Sequence, residues 1–225
     1  KLIDINEIAI LVRAGFQTRA FEERFLKIGL PYQVIGGLRF YERAEIRDAV
    51  AYLRLINSSD DQLAFERIIN KPKRGIGGRT LQKIEFYSRS RKISFEIAVR
   101  KLIETDEFSS TIRTSMNRFI KNIDRWREQL KSIRLGDLLE IVLEESEYTD
   151  MLQKDKSIEA PGRLENLKEL VNAINEFDSL TNFLEHIQLV MDGGSNSDIE
   201  SVKIMTLHSA KGLEFDTIFL PGWEE

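Results

Sequence analysis

The chain has 225 residues, of which 42% are apolar, enough to build a core in one large or two small globular domains. The absence of cysteine excludes disulfide frameworks, thiol catalysis and thiolate metal sites, and two histidines far apart in sequence argue against a histidine metal centre, so we expect no metal site. No apolar run approaches the roughly 20 residues of a membrane span, and we expect a cytoplasmic protein without a membrane partner.

The net charge of −4 conceals a strongly basic segment. Between Arg67 and Lys92 there are nine cations and a single acid, Glu85, which gives this segment +8 and leaves −12 for the remainder. Such a concentration neutralises a polyanion locally and repels it elsewhere, which favours a phosphate-rich ligand. The alternative is a solvated helix face that happens to be basic.

In chain order, both ends have the character of α/β structure. Ile8–Val12 and Tyr32–Ile35 are short β-prone runs, and the segment between them, Thr18–Gly29, has helical spacing and a glycine stop. Near the carboxyl end, Val202–Leu207 and Thr217–Leu220 are strand-like.

The middle of the chain predicts helices. Ile46–Leu53 carries an amphipathic stripe, and Ile112–Ile133 has an apolar seam with alternating spacings of four and three. This seam fits a coiled coil or, as we favour because its neighbours are also amphipathic, a core helix. Apolar stripes at Leu138–Leu143 and Leu164–Phe177 indicate two further helices, separated by Pro161-Gly162.

These elements predict a mixed, mainly α fold in which a helical domain, residues 43–195, is inserted into an α/β domain formed by residues 1–42 and 196–225. Asp192–Asp198 has the composition of a linker at the second boundary. A parallel sheet needs both faces covered, so we expect the two ends to pair with each other and to belong to a longer protein.

The stretch "KPKRGIGGRTLQKI" lies within the basic segment. Gly75 and Gly77 flank one apolar residue, Ile76, and Thr80 lies at the start of the next predicted helix. Glycine turns at a helix start expose backbone N–H groups to a phosphate, and the surrounding cations favour that interpretation over a plain helix cap.

A second loop, "TLHSAKGLEF", follows a predicted strand. Lys211 is a point charge suited to phosphate, His208 a donor, and Glu214 an acceptor for hydroxyl groups such as those of ribose. The alternative is a set of ordinary solvated loop residues. The chain contains no GxxxxGK[ST] phosphate cradle to accompany this loop.

The chain resembles the UvrD/PcrA/Rep group of superfamily-one DNA helicases over essentially its whole length. "VKIMTLHSAKGLEFDTIFLPGWEE" is similar to the group's fifth conserved motif, and "FERIINKPKRGIGGRTLQKI" to its duplex-contacting GIG element. "IAILVRAGFQTRAFEERFLKIGLPYQVIGGLRFYERAEIRDAVAYLRLI" resembles the passage from the second RecA-like subdomain, 2A, into the inserted helical subdomain, 2B.

The resemblance implies that residues 1–42 and 196–225 belong to 2A and residues 43–195 to 2B. It also implies ATP and Mg²⁺ as cofactors of the full-length enzyme, with single-stranded DNA along 2A and duplex at 2B. Glu214 would meet the ribose and Lys211 would lie on the nucleotide side, whereas Thr206 and His208 would face the DNA backbone. The implied duplex contacts are Gly75, Ile76, Gly77 and Thr80, to which we add Lys73 and Arg74 on electrostatic grounds.

The chain departs from the group's pattern in two respects. "AGFQTR" replaces a polar "TNAQSR"-like stretch, so that Arg19 matches but Gly15 and Phe16 do not. Walker A, Walker B and the arginine-bearing fourth and sixth motifs are absent from this chain, so it holds no complete catalytic site. We expect it to bind no nucleotide cofactor and hydrolyse no ATP by itself.

The sequence therefore predicts part of an ATP-dependent 3′–5′ DNA helicase of the UvrD type, acting in DNA repair and with repair proteins as possible partners. The alternative, from another functional class, is a non-enzymatic module that binds duplex DNA or a protein.

Overall fold

The computed structural model describes residues 4–192 and 200–222. Its fold is mixed and mainly helical, with one small parallel sheet. The chain forms two compact units, one of Lys1–Arg47 with Glu185–Glu225 and the other of Asp48–Leu184. The linker expected at Asp192–Asp198 lies, apart from the backbone of Asp192 at the end of a helix, outside the described residues.

The first unit contains a four-stranded, entirely parallel sheet in the order β2-β3-β1-β4. The strand β1 from the amino-terminal part lies between β3 and β4 from the carboxyl-terminal part, which confirms that the two ends pair with each other. The predicted strands are confirmed, except that β3 and β4 each end one residue earlier. The elements of this sheet are β1 (Ile8–Val12), α1 (Thr18–Ile28), β2 (Tyr32–Ile35), β3 (Val202–Thr206) and β4 (Thr217–Phe219).

Alternation along the strands divides the buried side chains between two faces of the sheet. One cluster contains Ala9, Leu11 and Met205, and a second contains Ile10, Val12 and Val202, against which partly buried side chains of α1 pack. Helix α1 ends at Gly29, whose φ of +68° lies in the left-handed region that favours glycine. The predicted glycine stop is therefore confirmed.

Helix α1 also carries a buried carboxylate. Glu22 accepts hydrogen bonds from the Thr18 hydroxyl at 2.6 Å and from the backbone N–H of Phe40 at 3.2 Å. Burial raises the pKa of Glu22, and these hydrogen bonds only partly oppose that effect. The contact fastens the segment that follows β2 to the helix that precedes it.

The predicted helices of the middle region are present. Pro161 and Gly162 do not separate two helices as expected but lie in the first turn of the helix Ala160–Ile174, where the missing N–H of proline costs no helical hydrogen bond. Four helices were not predicted individually, namely Gln62–Ile68, Phe95–Ile103, Tyr148–Gln153 and Leu180–Asp192. These helices are α2 (Ala44–Asn57), α3 (Gln62–Ile68), α4 (Gly78–Arg91), α5 (Phe95–Ile103), α6 (Ser110–Gln129), α7 (Leu135–Glu145), α8 (Tyr148–Gln153), α9 (Ala160–Ile174) and α10 (Leu180–Asp192).

The apolar seam of α6 faces the core of the second unit. Met116, Phe119, Ile123 and Trp126 are buried, and the ring of Trp126 packs edge-on against Tyr52 of α2 with 6.0 Å between centroids. The core-helix interpretation is therefore confirmed, and the coiled coil is wrong. The helix ends at Gln129, so the last part of the predicted seam lies beyond it.

A charged network joins three helices of this unit. The buried carboxylate of Glu96 on α5 accepts hydrogen bonds from Arg100 at 2.6 Å and from Arg127 of α6 at 2.7 Å. Arg127 also donates to the backbone carbonyl of Leu55 on α2 at 2.7 Å. Burial acts to raise the pKa of Glu96, but the hydrogen bonds from the two arginines outweigh it and lower that pKa.

The substitution Glu96→Gln tests this network. We expect the free energy of unfolding at pH 7 to fall by about 2 kcal/mol, since hydrogen bonds to a charged group are lost. The folded-state pKa of Glu96 lies below the ordinary value of a glutamate side chain. The stabilisation by Glu96 is therefore fully present above the unfolded-state pKa and is lost as pH falls through the folded-state pKa. The difference in free energy of unfolding between the native chain and Glu96→Gln should narrow on acidification.

Urea unfolding followed by circular dichroism from pH 7 downward measures both effects. Glu128→Gln is the matched control, because Glu128 is 72% exposed and pairs with Lys131 at the surface. A difference that stays constant over the acid range would contradict the assignment.

Candidate functional site

The loops after β1, β2 and β3 all leave the same edge of the sheet because these strands are parallel. Two of the loops touch. Gly36, directly after β2, has a φ of +76°, and a Cβ placed there would lie 2.5 Å from Oγ of Ser209 in the loop after β3. The "TLHSAKGLEF" loop is therefore supported directly by the neighbouring strand's turn.

Hydrogen bonds within this loop form a compact turn. The hydroxyls of Thr206 and Ser209 are 3.0 Å apart, and the N–H of Ser209 donates to Thr206 Oγ1 at 3.3 Å. Further along, the N–H of Lys211 donates to the carbonyl of His208 at 3.4 Å. His208, Lys211 and Glu214 are exposed, whereas Thr206 is partly buried. The edge therefore presents a cation, an imidazole and a carboxylate to solvent.

The loop after β1 has its own internal acceptor. The side-chain Oε1 of Gln17 accepts the N–H groups of Arg13 and Ala14, each at 3.0 Å. Arg19, which matches the helicase pattern, is only 7% exposed and donates to Glu23 at 2.8 Å. Its side chain therefore belongs to α1 and contributes no free charge to the edge.

The GIG turn of the second unit is held from within by Asn70. Oδ1 of Asn70 accepts the backbone N–H of Arg74 at 2.7 Å and that of Ile76 at 3.2 Å. Gly75 between them has a φ of +75°, and Gly77 caps α4. Two of the amides near the turn are thus already occupied by the protein.

The part of the turn that faces outward is the start of α4. The Ile76 side chain is 1% exposed, Thr80 is buried, and the N–H of Thr80 donates to the Gly77 carbonyl at 3.0 Å. The Ile76 side chain therefore packs into the protein and its N–H is taken by Asn70, so the expected contact of Ile76 with phosphate stays a prediction. The N–H groups of Gly77, Gly78 and Arg79 lie where a helix start lacks partners of its own.

Arg74 occupies a different position from the one expected on electrostatic grounds. Its guanidinium donates to the carbonyls of Ile68 at 2.8 Å, Lys71 at 2.9 Å and Ser146 at 3.2 Å, and to the hydroxyl of Tyr52 at 2.9 Å. A side chain used in this way is directed into the protein rather than toward a ligand. We therefore assign Arg74 to positioning the turn.

The segment before the turn is anchored on α2. Asp48, 1% exposed, forms ion pairs with Arg67 at 2.6 Å and Lys71 at 2.9 Å, and Tyr148 donates to it at 2.7 Å. One turn further along α2, the hydroxyl of Tyr52 donates to the carbonyl of Lys71 at 2.5 Å. Two side chains of one helix thus fix the path of the chain toward the turn.

Sequence reasoning missed Asp48, Tyr52 and Asn70. A short amide side chain just before a glycine turn is a recognisable acceptor for local backbone N–H groups, so Asn70 carried a signal. Asp48 carried none, because an acid in an amphipathic helix resembles any solvated residue.

The exposed charge of the basic segment is smaller than its composition suggests. Three of its nine cations pair with acids from elsewhere in the chain, and a fourth, Arg89, pairs with Glu85 at 2.6 Å. The cations next to the turn, Lys73 and Arg79, are exposed and have no ion pair within the described part of the chain. Exposed cations without a described ion pair thus lie at the turn and, as Arg91 and Lys92, at the far end of α4. The three pairs are Arg67 and Lys71 with Asp48, and Lys83 with Glu107.

The remaining features of residues 4–192 and 200–222 concern metal ligation, membrane insertion and cavities. No cluster of three potential metal ligands occurs there, and none of the helices combines the length and apolar character of a membrane span. A cavity of about 480 Å³ in the second unit lies among the ends of α6, α7, α9 and α10, with Arg134, Asn175 and Thr181 in its wall. It shares no residue with the loop or the turn.

Comparison with known proteins gives one family and a set of bacterial relatives. The family described as "UvrD-like helicase C-terminal domain" matches residues 1–225. DNA helicase II of Rickettsia typhi is 49% identical over 225 residues, covering 98% of this chain and 34% of the relative. ATP-dependent DNA helicase PcrA of Bacillus subtilis and DNA helicase II of Escherichia coli are each 38% identical, over 98% of this chain and 32% of the relative. The chain thus spans about a third of the length of these curated relatives.

The contact between the β2 turn and the loop after β3 can be tested with Gly36→Ala. We expect a loss of at least about 1 kcal/mol in the free energy of unfolding, since alanine is strained at positive φ and its Cβ would collide with Ser209. Gly29→Ala is the matched control, because Gly29 also has a positive φ, +68°, but a Cβ there meets nothing within 4 Å. Equal losses in the two variants, measured by urea unfolding, would show that the loops do not touch in this way.

Proposed function

Because the chain belongs to the UvrD-like helicase C-terminal domain family, we propose that it is the 2A and 2B part of an ATP-dependent DNA helicase. In this proposal residues 1–42 and 196–225 form 2A and residues 43–195 form 2B. The division into the two compact units, Lys1–Arg47 with Glu185–Glu225 and Asp48–Leu184, supports it. The observation that carries this proposal is the match over residues 1–225, with a parallel sheet whose strands come from both ends of the chain.

The activity belongs to the longer protein. There, ATP hydrolysis with Mg²⁺ would be coupled to 3′–5′ DNA unwinding, in a cytoplasmic protein with a role in DNA repair and repair proteins as partners. The names of the relatives, DNA helicase II and ATP-dependent DNA helicase PcrA, support this activity. Phosphoryl transfer needs a phosphate cradle, a metal-binding carboxylate and the arginines of the fourth and sixth motifs. Because this chain lacks all of these motifs, the chain alone should hydrolyse no ATP.

On the 2A side, the loop after β3 would serve both ATP and DNA. Bound ATP would supply the phosphoryl group whose transfer drives the cycle, with Glu214 accepting hydrogen bonds from ribose hydroxyls and Lys211 toward the phosphates. Thr206 and His208 would face the DNA backbone. The hydrogen bonds between Thr206 and Ser209 and between His208 and Lys211 hold these four residues in one short turn.

On the 2B side, the start of α4 would grip duplex phosphates. The N–H groups of Gly77, Gly78 and Arg79 offer donors at the positive end of the helix dipole, and Lys73 adds an exposed charge. Gly75 gives the turn its left-handed backbone. Donors of this kind contact phosphate and not base edges, so binding should be independent of sequence.

A second candidate function is a non-enzymatic module that binds duplex DNA or a protein. The compactness of Asp48–Leu184, which carries the GIG turn by itself, favours it. The gene sequence that precedes Lys1 distinguishes the helicase from the non-enzymatic module. A GxxxxGK[ST] motif there supports the helicase, and absence of the motif from the full-length protein would refute the helicase assignment.

The duplex grip is tested by fluorescence anisotropy of labelled DNA with the 225-residue chain across a salt series. Lys73→Ala should weaken binding and reduce the slope of log K against log salt by about 1, because one phosphate contact is lost. Gly77→Val should weaken binding at least about fivefold. A Cβ at Gly77 meets nothing within 4 Å in the protein, so its bulk would obstruct only a ligand.

Two controls match these variants. Lys156→Ala removes an exposed lysine between α8 and α9, and Gly162→Val adds a side chain at a similarly open glycine in α9. If all four variants bind duplex as the native chain does, the GIG turn is not the DNA contact.

The role of Glu214 is tested in the full-length protein with Glu214→Gln. We expect kcat/KM for ATP to fall about tenfold, since hydrogen bonds from ribose to a charged acceptor are weakened. With 2′,3′-dideoxy-ATP, which lacks both hydroxyls, native and variant enzymes should have similar kcat/KM.

Asp216→Asn, at an exposed acid two residues away, is the control for loss of negative charge. An equal loss with both nucleotides would contradict ribose recognition by Glu214.

A further inference from the structure

The outer face of α4 continues from the GIG turn as a stripe of exposed side chains. Successive turns of a helix bring residues three and four apart onto one face. In α4 every residue of this face is exposed, and none is acidic. The stripe consists of Arg79, Gln82, Lys83, Phe86, Arg89 and Ser90.

Phe86 stands in the middle of the stripe and is 76% exposed. Single exposed apolar residues are common on protein surfaces, so exposure alone assigns nothing. Its position is what distinguishes Phe86, because Lys83 precedes it by three residues and Arg89 follows it by three. Aromatic rings between cations bind single strands by stacking on bases, whereas a paired strand offers such a ring only its sugar edge.

The cations of the stripe remain available to a ligand. Lys83 pairs with Glu107 and Arg89 with Glu85, each at 2.6 Å, but the Lys83 and Arg89 side chains are 54% and 76% exposed. Exposed ion pairs of this kind contribute little to stability, so a phosphate can replace the carboxylate at small cost. Arg79 has no described ion pair to break.

We propose that this stripe extends the duplex grip along the DNA, with Phe86 packed against the sugar edge of the strand whose phosphates lie at the GIG turn. The inference rests on the proposed function of the turn and adds to it a contact of different chemistry. Arg79 and Lys83 would meet phosphates on one side of Phe86 and Arg89 on the other. The ring would fill the space between phosphates without requiring any particular base.

The dimensions of the helix suit this arrangement. At a rise of about 1.5 Å per residue, Phe86 lies about 12 Å and Arg89 about 16 Å along the axis from Gly78. Because each nucleotide advances a DNA strand by about 3.4 Å along the duplex axis, the stripe spans roughly four or five nucleotides. A rigid helix would thus extend one phosphate site into a binding surface several nucleotides long.

Charge complementarity favours DNA over a protein partner. A protein interface has a desolvated apolar or aromatic centre that is depleted in charge. Here Phe86 is the only apolar member of the stripe, and the adjacent Tyr87 ring is covered by the guanidinium of Arg91 at 5.4 Å. A polyanion satisfies the cations, whereas an apolar protein surface would leave them desolvated.

The test uses fluorescence anisotropy with the 225-residue chain on a duplex and on a single strand of the same length. Phe86→Ala should weaken duplex binding about tenfold, because burial of the ring against the sugar edge is lost. The salt slope should stay unchanged because no charge is removed. Phe86→Tyr should retain native affinity, since it keeps the ring. Ile158→Ala, at an apolar side chain that is 96% exposed between α8 and α9, should have no effect.

The outcomes separate this inference from the proposed function. If Gly77→Val and Lys73→Ala weaken duplex binding but Phe86→Ala does not, the turn binds DNA and the stripe does not. If Phe86→Ala weakens only single-strand binding, the duplex assignment is overturned. If Phe86→Ala impairs only binding to another protein, the stripe is a protein contact. If none of these variants changes DNA binding, the proposed duplex grip fails as well.

Discussion

The buried carboxylate of Asp48 is the interaction on which the organisation of the segment leading to the GIG turn depends. It gathers two cations and a tyrosine hydroxyl around one turn of α2, while Tyr52 on the next turn holds the Lys71 carbonyl and the Arg74 guanidinium. A buried ion pair contributes little net stability but is costly to break, which is the behaviour of a group that specifies one arrangement. The start of α4 is thus set before any ligand arrives, so binding requires little further ordering of the chain.

In the first unit, the pairing of the parallel strands fixes where the loops lie. Because β2, β3 and β1 are parallel neighbours, their following segments must emerge side by side, and the approach of Gly36 to Ser209 is the consequence. The side chains that face solvent there belong to residues near one another in sequence. The supporting contacts come from a strand about 170 residues away in the chain.

Sequence patterns predicted the elements well where local chemistry decides them. The strands followed β-prone runs, and α1 ended at Gly29 because only a left-handed residue closes that helix comfortably. The prediction at Pro161-Gly162 was wrong because proline breaks a helix only beyond the first turn, and Pro161 lies in the first turn of α9. Side-chain direction could not be predicted from the sequence. Lys73 and Arg74 are adjacent cations, but Lys73 faces solvent whereas Arg74 donates to carbonyls inside the protein. Counting charges along the segment could not reveal Asp48 or Glu107, which meet it only in the folded chain.

The hydrogen bond from Arg74 to the carbonyl of Ser146 joins residues 72 positions apart. The residues of the GIG motif are close together in sequence. One acceptor that holds the turn, the Ser146 carbonyl, is in place only when the α7–α8 junction has packed against it. A peptide cut to the motif would carry the lysines, arginines and glycines but lack that acceptor. A partly folded chain would likewise carry the charge of the motif without a formed helix start. The native turn should therefore form only once Ser146 is in place, and its formation would report that the second unit has reached its native arrangement.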